Sequence, residues 1–501
     1  MLYGFSVCFE PLNIFACFIG ALLGTLVGVL PGLGPVAAIS LLLPITFMMP
    51  ATASLIMLAG IFYGAMYGGS TTSILMNIPG ESASVVTCLD GYQMARKGRA
   101  GAALGISAFG SFIAGTFGVL CIMLISPPLV SLALKFGPPE YVAIITLSLS
   151  MVIYLSSKSL LKALIMAVLG LFLGTIGVDP IEGSPRFTYG ISSLLNGLNV
   201  APVVMGLFGI PEVMENIEIS LKQEIFETKL KGLLPNREEW KRSAMPIARG
   251  TVIGFFMGTL PGVGAIIPTF ISYSLERRLS KHPEEFGQGA IEGVAGPESA
   301  NNSASSGGFI PLLTLGVPSN VIMALLLGAL MIHGIQPGPL LMVQHPDIFW
   351  GLIASMYIGN AMLLVLNLPL IPLWVQILKI PYPILFPVIL VFCLVGAYSV
   401  DNNPMDVLVL VMFGLIGYVM RKMRFEAAPF VLAFILGPML EVALRHSLIL
   451  SRGTFLIFLK RPISVVLLSL AALIFLSPLL TYFFKKGGRV MIPKEAEFDD
   501  E

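Results

Sequence analysis

The sequence predicts an all-α polytopic membrane protein of about 10–13 membrane segments, with two internal repeats, broken helices and re-entrant or hairpin tips. Three observations predict it. Charged residues make up 11% of the 501 residues and hydrophobic residues 56%, whereas a soluble domain carries about 25% charge. Long stretches hold no charge at all. Two blocks of sequence also recur, in the same order, in the two halves of the chain.

Composition excludes several classes first. So few charges cannot clothe water-facing domains, and a disordered chain would be less hydrophobic and more charged. The net charge of +1 offers no basic excess, so no nucleic-acid partner is expected. The histidines are scattered, with no HExxH, and no GxxxxGK[ST] is present. The five cysteines (Cys8, Cys17, Cys88, Cys121, Cys393) form no CxxC, which argues against a disulfide framework or a thiolate metal site. No resident cofactor or metal is expected, and no nucleophile–base pair suggests an enzyme.

The spans come next. Pro11–Gly80 contains no Asp, Glu, Lys or Arg, and Ala100–Leu134, Gly250–Tyr273, Ser299–Pro346, Ile348–Leu378, Ile380–Val400 and Pro462–Phe484 are similar. A helix crosses the hydrocarbon core with about 20 apolar residues. These runs lack the alternation of a barrel strand. Met1–Glu10 has neither a basic n-region nor a small-residue cleavage site, so the first apolar segment reads as a retained span.

Charge gathers in loops. Glu215–Arg242 is the most polar stretch and parts two apolar halves. The expected organisation is a first transmembrane repeat over 1–211, a connector over 212–245, a second repeat over 246–484 and a tail over 485–501. The basic loops Arg421–Arg424 and Lys485–Arg489 place the C-terminus on the cytoplasmic side.

The repeat itself is Gly24-Thr-Leu-Val-Gly28-Val-Leu-Pro31-Gly32-Leu-Gly34, which returns as Gly254-Phe-Phe-Met-Gly258-Thr-Leu-Pro261-Gly262-Val-Gly264, 230 residues later. Gly68-Gly69 with Ile78-Pro79 returns as Gly307-Gly308 with Val317-Pro318, 239 residues later. Pro cannot continue a helix interior and Gly tolerates positive φ, so Pro-Gly-x-Gly breaks the helix. At membrane depth such a break must be buried or line a cavity. It leaves free N–H and C=O ends that attract anions and cations, and paired breaks point to a transporter site. A tight helix-packing glycine patch is the competing reading of the same residues.

Three polar clusters fall inside uncharged runs. The first is Ser70, Thr71, Thr72 and Ser73, leading to Asn77 and the tip Gly80-Glu81-Ser82. The second is Glu298, Ser299, Asn301 and Asn302, followed by Thr314 and the tip Pro318-Ser319-Asn320. It repeats the composition of the first. The third is Asp401-Asn402-Asn403-Pro404 with Asp406, which is also good turn chemistry. Polar groups at such places are costly unless they face a cavity; the bland alternative is a polar loop. The candidate substrate- or ion-binding set is therefore these residues together with Pro31, Gly32, Gly34, Gly262 and Gly264, and Asp406 is a candidate coupling carboxylate. No Lys or Arg enters the long runs, so an anion would be held by helix ends, hydroxyls, amides and a co-bound Na⁺ or H⁺.

At these residues the chain resembles the large membrane subunit of the tripartite tricarboxylate transporters, the TctA type. The similarity runs through Gly28–Gly34, Tyr67–Leu75 with Asn77–Glu81, Asp90–Met94, Gly177–Pro180, Gly183–Phe187, Gly258–Gly264, Glu292–Glu298, Pro311–Pro318, Gly396–Ser399 and Gly417–Met420. Ser319 stands where that pattern has glycine, and Asp401–Pro404 also departs from it. The resemblance implies about twelve spans in a bacterial inner membrane, a small partner subunit of about four spans, and a periplasmic solute-binding protein. It implies uptake of a di- or tricarboxylate driven by an ion gradient. The expected mechanism is alternating access, with a gated channel for small organic anions as the alternative and a membrane-embedded enzyme as a remote one.

Overall fold

The computed structural model describes residues 1–30, 34–46, 48–155, 159–218, 234–377 and 382–487. Pro31 and Gly32, the middle of the polar connector and the end of the C-terminal tail lie outside the described residues. Those described are overwhelmingly helical, with one two-stranded antiparallel pair, Gly177–Val178 against Pro185–Arg186. Six described helices are long and apolar enough to cross a membrane: Pro11–Val29 (α1), Ala51–Met76 (α2), Ala100–Ala133 (α4), Pro346–Asn367 (α10), Pro404–Lys422 (α11) and Ala428–Leu450 (α12). The fold class is thus an all-α multi-pass membrane protein. Shorter apolar helices, among them Pro35–Thr46 and Val321–Ile332 (α9), are the interrupted segments.

The remaining helices around the site are Val85–Arg96 (α3), Arg237–Gly258 (α5), Ile266–Leu279 (α6), Glu292–Gly307 (α7) and Phe309–Leu315 (α8). Local chemistry sets their starts. Proline occupies the first turn of α1, α10 and α11, where its missing N–H has no intrahelical partner to lose. Asn236 and Glu239 form a reciprocal capping box on α5.

Two helix pairs form the centre, and glycines let them close. A Cβ on Gly24 or Gly28 of α1 would collide with the Ile61 or Ala65 carbonyl of α2. A Cβ on Gly254 or Gly258 of α5 would collide with the Ala300 or Ala304 carbonyl of α7. The first members of these contacts are 230 residues apart and the second members 239. The same contact is therefore made twice, at the offsets of the sequence repeat. These four glycines are packing glycines, as the competing reading had it. The pairs touch where α7 meets α2, and α4 packs along α7 and α10 along α2.

The helix breaks follow. α5 stops at Gly258 and α6 starts at Ile266, with Gly262 and Gly264 at φ +83° and +59° between them. α2 ends on Asn77 at φ 58°, and α8 ends on Gly316 at φ 72°. These two left-handed residues occupy equivalent places, and each starts a Pro-containing tip that runs into the next helix.

Candidate functional site: a buried polar seam between two helix pairs

Every residue of α7 from Glu292 to Gly307 is buried, although most of them are small or polar. Such a helix is stable in an apolar protein only if its polar groups find partners. They find them on α2, on the tip that follows it, and on α3 and α4. Ser70 Oγ of α2 donates to Glu298 Oε2 at 2.6 Å, and Thr87 of α3 donates to Glu298 Oε1. The Ser107 hydroxyl of α4 lies close to the same carboxylate. One turn on, Asn301 Nδ2 donates to Glu81 Oε1 at 3.0 Å, and the Ala83 N–H donates to Glu81 Oε2 at 2.7 Å. Glu81 thereby caps the short 3₁₀ turn Ser82–Ser84 that leads into α3. Gly69 makes room for it, since a Cβ there would lie 2.7 Å from Glu81 Cγ.

Around this pair the seam is satisfied almost throughout. Asn302 Nδ2 donates to Ser111 Oγ at 2.7 Å, and Ser73 Oγ donates to Ser84 Oγ at 2.8 Å. Thr72 Oγ1 donates to the Val29 carbonyl at 2.7 Å, filling one of the acceptors that the end of α1 leaves open. Tyr67 donates to Asn360 Oδ1 of α10 at 2.7 Å. Among the buried side-chain atoms without a partner in the described residues are Asn301 Oδ1 and Ser303 Oγ of α7 and the Tyr63 hydroxyl of α2. Tyr63, Asn302, Ser306 and Asn360 line a void of about 10 Å³, room for one water at most. No Lys, Arg or His is bonded to Glu81 or Glu298 among the described residues.

The structure brings Ser70, Glu81, Glu298 and Asn301 together, with Asn302 beside them. Thr71 and Thr72 are buried on the same helix, and Ser299 back-bonds to Ala295 O. Gly80 is wedged between Gly28 and Gly69. Asn77 and Ser82 are exposed and face away from the seam. The second tip lies elsewhere: Ser319 O accepts the Gly262 N–H at 2.7 Å, so it closes on the second break. Asn320 caps α9 through the Met323 N–H, and Thr314 back-bonds to Ile310 O. Pro318 is buried. Gly34 and Gly264 have open space around them. Asp406 accepts from Asn199, at 3.0 and 3.1 Å, in the first turn of α11.

Composition misled on one point. At the 239-residue offset the second polar cluster does not align with the first; Glu298–Ser303 corresponds to Ala59–Gly64, and Ser70–Ser73 to Phe309–Leu312. The true counterparts are the tips, Glu81 matching Asn320 and Gly80 matching Ser319. Sequence reasoning also missed Thr87, Ser107, Ser111, Tyr67 and Asn360. Their signal was a hydroxyl or amide recurring every three or four residues in an uncharged run, as in Ser107 and Ser111.

Two further clusters hold the site in place. Asp90 of α3 is buried, and its Oδ1 accepts the N–H groups of Gly287, Gly289 and Ala290 at 2.9, 2.7 and 2.9 Å. Tyr273 donates to its Oδ2 at 2.9 Å. This clasp fixes the entry to α7. Far along the chain, Asp179 accepts the N–H groups of Ile181 and Glu182 and an Arg445 N–H at 2.7 Å, while Arg186 clasps Glu441. The Glu182 N–H and Arg445 hold the Asp179 carboxyl well below the usual carboxylate range.

The fold and the seam define a multi-pass membrane protein whose paired, broken helices enclose carboxylates with no basic partner among the described residues. The chain belongs to the tripartite tricarboxylate transporter TctA family, whose model matches residues 14–432. Such proteins are membrane subunits of tripartite transporters, which implies a small membrane subunit and a periplasmic binding protein as partners. An uncharacterized 52.8 kDa protein of the TAR-I ttuC' 3' region of Agrobacterium vitis is 51% identical over 492 residues, 98% of each chain. An uncharacterized protein of the TAR-II ttuC' 3' region of the same organism is 50% identical over 239 residues, 48% of this chain and 99% of its own length. No solved structure matches.

Proposed function

We propose that this chain is the large subunit of an ion-gradient-driven secondary transporter. It takes up a di- or tricarboxylate handed over by a periplasmic binding protein, across the bacterial inner membrane and by alternating access. Two repeats, over 1–211 and 246–484, move against each other and carry the site at their seam. One observation carries this reading: Glu81 and Glu298 are buried where α2, α3 and α7 meet, with no basic side chain bonded to them among the described residues. A seam of that kind balances its charge with a co-transported Na⁺ or H⁺. The substrate carboxylate is then held by hydroxyls, amides and broken helix ends. The void beside Tyr63, Asn302, Ser306 and Asn360 is too small for a carboxylate substrate, so the helices around it must move apart to admit one.

The test is uptake of labelled citrate and succinate into proteoliposomes, with imposed Na⁺ and H⁺ gradients, with and without the small subunit and binding protein. Saturable, binding-protein-dependent accumulation against a gradient is the expected result. Flux insensitive to both gradients would mean a gated channel and would sink the secondary-transport reading.

A further inference from the structure

The two seam carboxylates are surrounded by different kinds of donor, and we infer that Glu298 carries the exchangeable proton while Glu81 is a fixed charge. This rests on the transport reading above. Glu81 faces the Ala83 backbone N–H, which can only donate, and Asn301 Nδ2, which gives way to an acceptor only if the whole amide flips. A proton on Glu81 would need that flip, and its place at a helix N-terminus favours the anion as well.

Among the described residues the side chains bonded to Glu298 are hydroxyls, Ser70 and Thr87, with the Ser107 hydroxyl close by, and a hydroxyl gives or takes a hydrogen bond as required. When a proton arrives at Oε2, the new O–H donates to Ser70 Oγ. Ser70 turns its own proton to the Met66 carbonyl, already 3.1 Å away. No donor is left opposing another, and nothing but hydroxyl rotors has to move.

A second observation marks the same helix face as unfinished. Asn301 is 1% exposed and its Oδ1 has no partner among the described residues. It is a spare acceptor one turn from Glu298. The two hydroxyls bonded to Glu298 come from α2 and α3, and Glu298 itself from α7, so the proton sits where α7 of one pair meets α2 of the other. The other titratable groups nearby are accounted for. Tyr67 is bonded to Asn360, Asp90 to its three N–H groups, Glu276 of α6 to Arg249, and Glu292 to Arg242. Cys88 bonds to the Ser84 carbonyl. α4 contributes no charged side chain between Ala100 and Ala133.

The experiment is pH-difference infrared spectroscopy on the full chain in lipid, following the C=O band of a buried carboxylic acid. The band is expected in the wild type, lost in Glu298→Gln, kept in Glu81→Gln and shifted in Ser70→Ala. A band that survives Glu298→Gln, or disappears in Glu81→Gln, or is absent from the wild type, overturns the assignment. Should Glu298→Gln fail to fold, Ser70→Ala decides, because an unshifted band also overturns it. Absence of all carboxylate uptake would count against the transport reading instead, and leaves the infrared result to judge the proton.

Discussion

The two tips of the molecule share a backbone plan and differ in what they carry. Asn77-Ile-Pro-Gly-Glu81 and Gly316-Val-Pro-Ser-Asn320 both leave a helix through a left-handed residue and cap the next helix with the last side chain. Yet the helix before the first tip ends in Ser70–Ser73, and the segment before the second in Phe309–Leu312. Conversely, α7 is polar along Glu298–Ser303 where α2 reads Ala59–Gly64. Each pair has what the other lacks, and the hydrogen bonds run between them. A doubled scaffold has kept its glycines and divided its polar work.

The largest effect should come from the shared scaffold. Gly28→Leu and Gly258→Leu force side chains into an opposing carbonyl, and overpacking of this kind costs about 1–3 kcal/mol or more. Both should abolish the folded, monodisperse protein in size-exclusion and thermal-shift measurements. If only one did, the two pairs would not be equivalent.

The next effects separate the pairs. Asn301→Ala removes the amide donor to Glu81, and leaving a buried carboxylate short of a partner costs about 1–3 kcal/mol. Uptake should fall about tenfold or more, with the protein still inserted and folded. Asn320→Ala, at the equivalent capping position on the second tip, should cost only about 1 kcal/mol of stability and change uptake little. Equal losses at both would erase the asymmetry between the tips.

The smallest effect lies outside the seam. Asp179 has its folded pKa depressed below the unfolded value, so its contribution is present at neutral pH and is lost as pH falls through the folded value. Hydrogen exchange at Ile181–Gly183 should stay slow down to pH about 4 and quicken only in stronger acid. Asp179→Asn should remove that pH dependence.

Much of the fold was legible because membrane physics is coarse: uncharged runs mark spans, and Pro-Gly pairs mark breaks. Gly24 and Gly254 were legible as a repeat, but not as packing residues rather than breakers, since both readings use the same residue. The site was half legible. Ser70, Glu81, Glu298 and Asn301 are conspicuous as polar residues in apolar surroundings. Their pairing was not, because Ser70 and Glu298 are 228 residues apart and no periodicity in one sequence links such positions. Thr87 and Asn360 look ordinary until a partner stands beside them. The second tip was legible in composition only: Pro318, Ser319 and Asn320 resemble the first tip, and their hydrogen bonds run to the second break and the start of α9.

The central claim is that polar groups from the two helix pairs form one functional site. The most direct measurement is a double-mutant cycle on uptake, with Ser70→Ala, Asn301→Ala and the combination, each checked for insertion and folding. The account predicts that both single variants reduce uptake and that the combination loses clearly less than the product of the two. Unchanged uptake in both single variants, or losses that simply multiply, would contradict it.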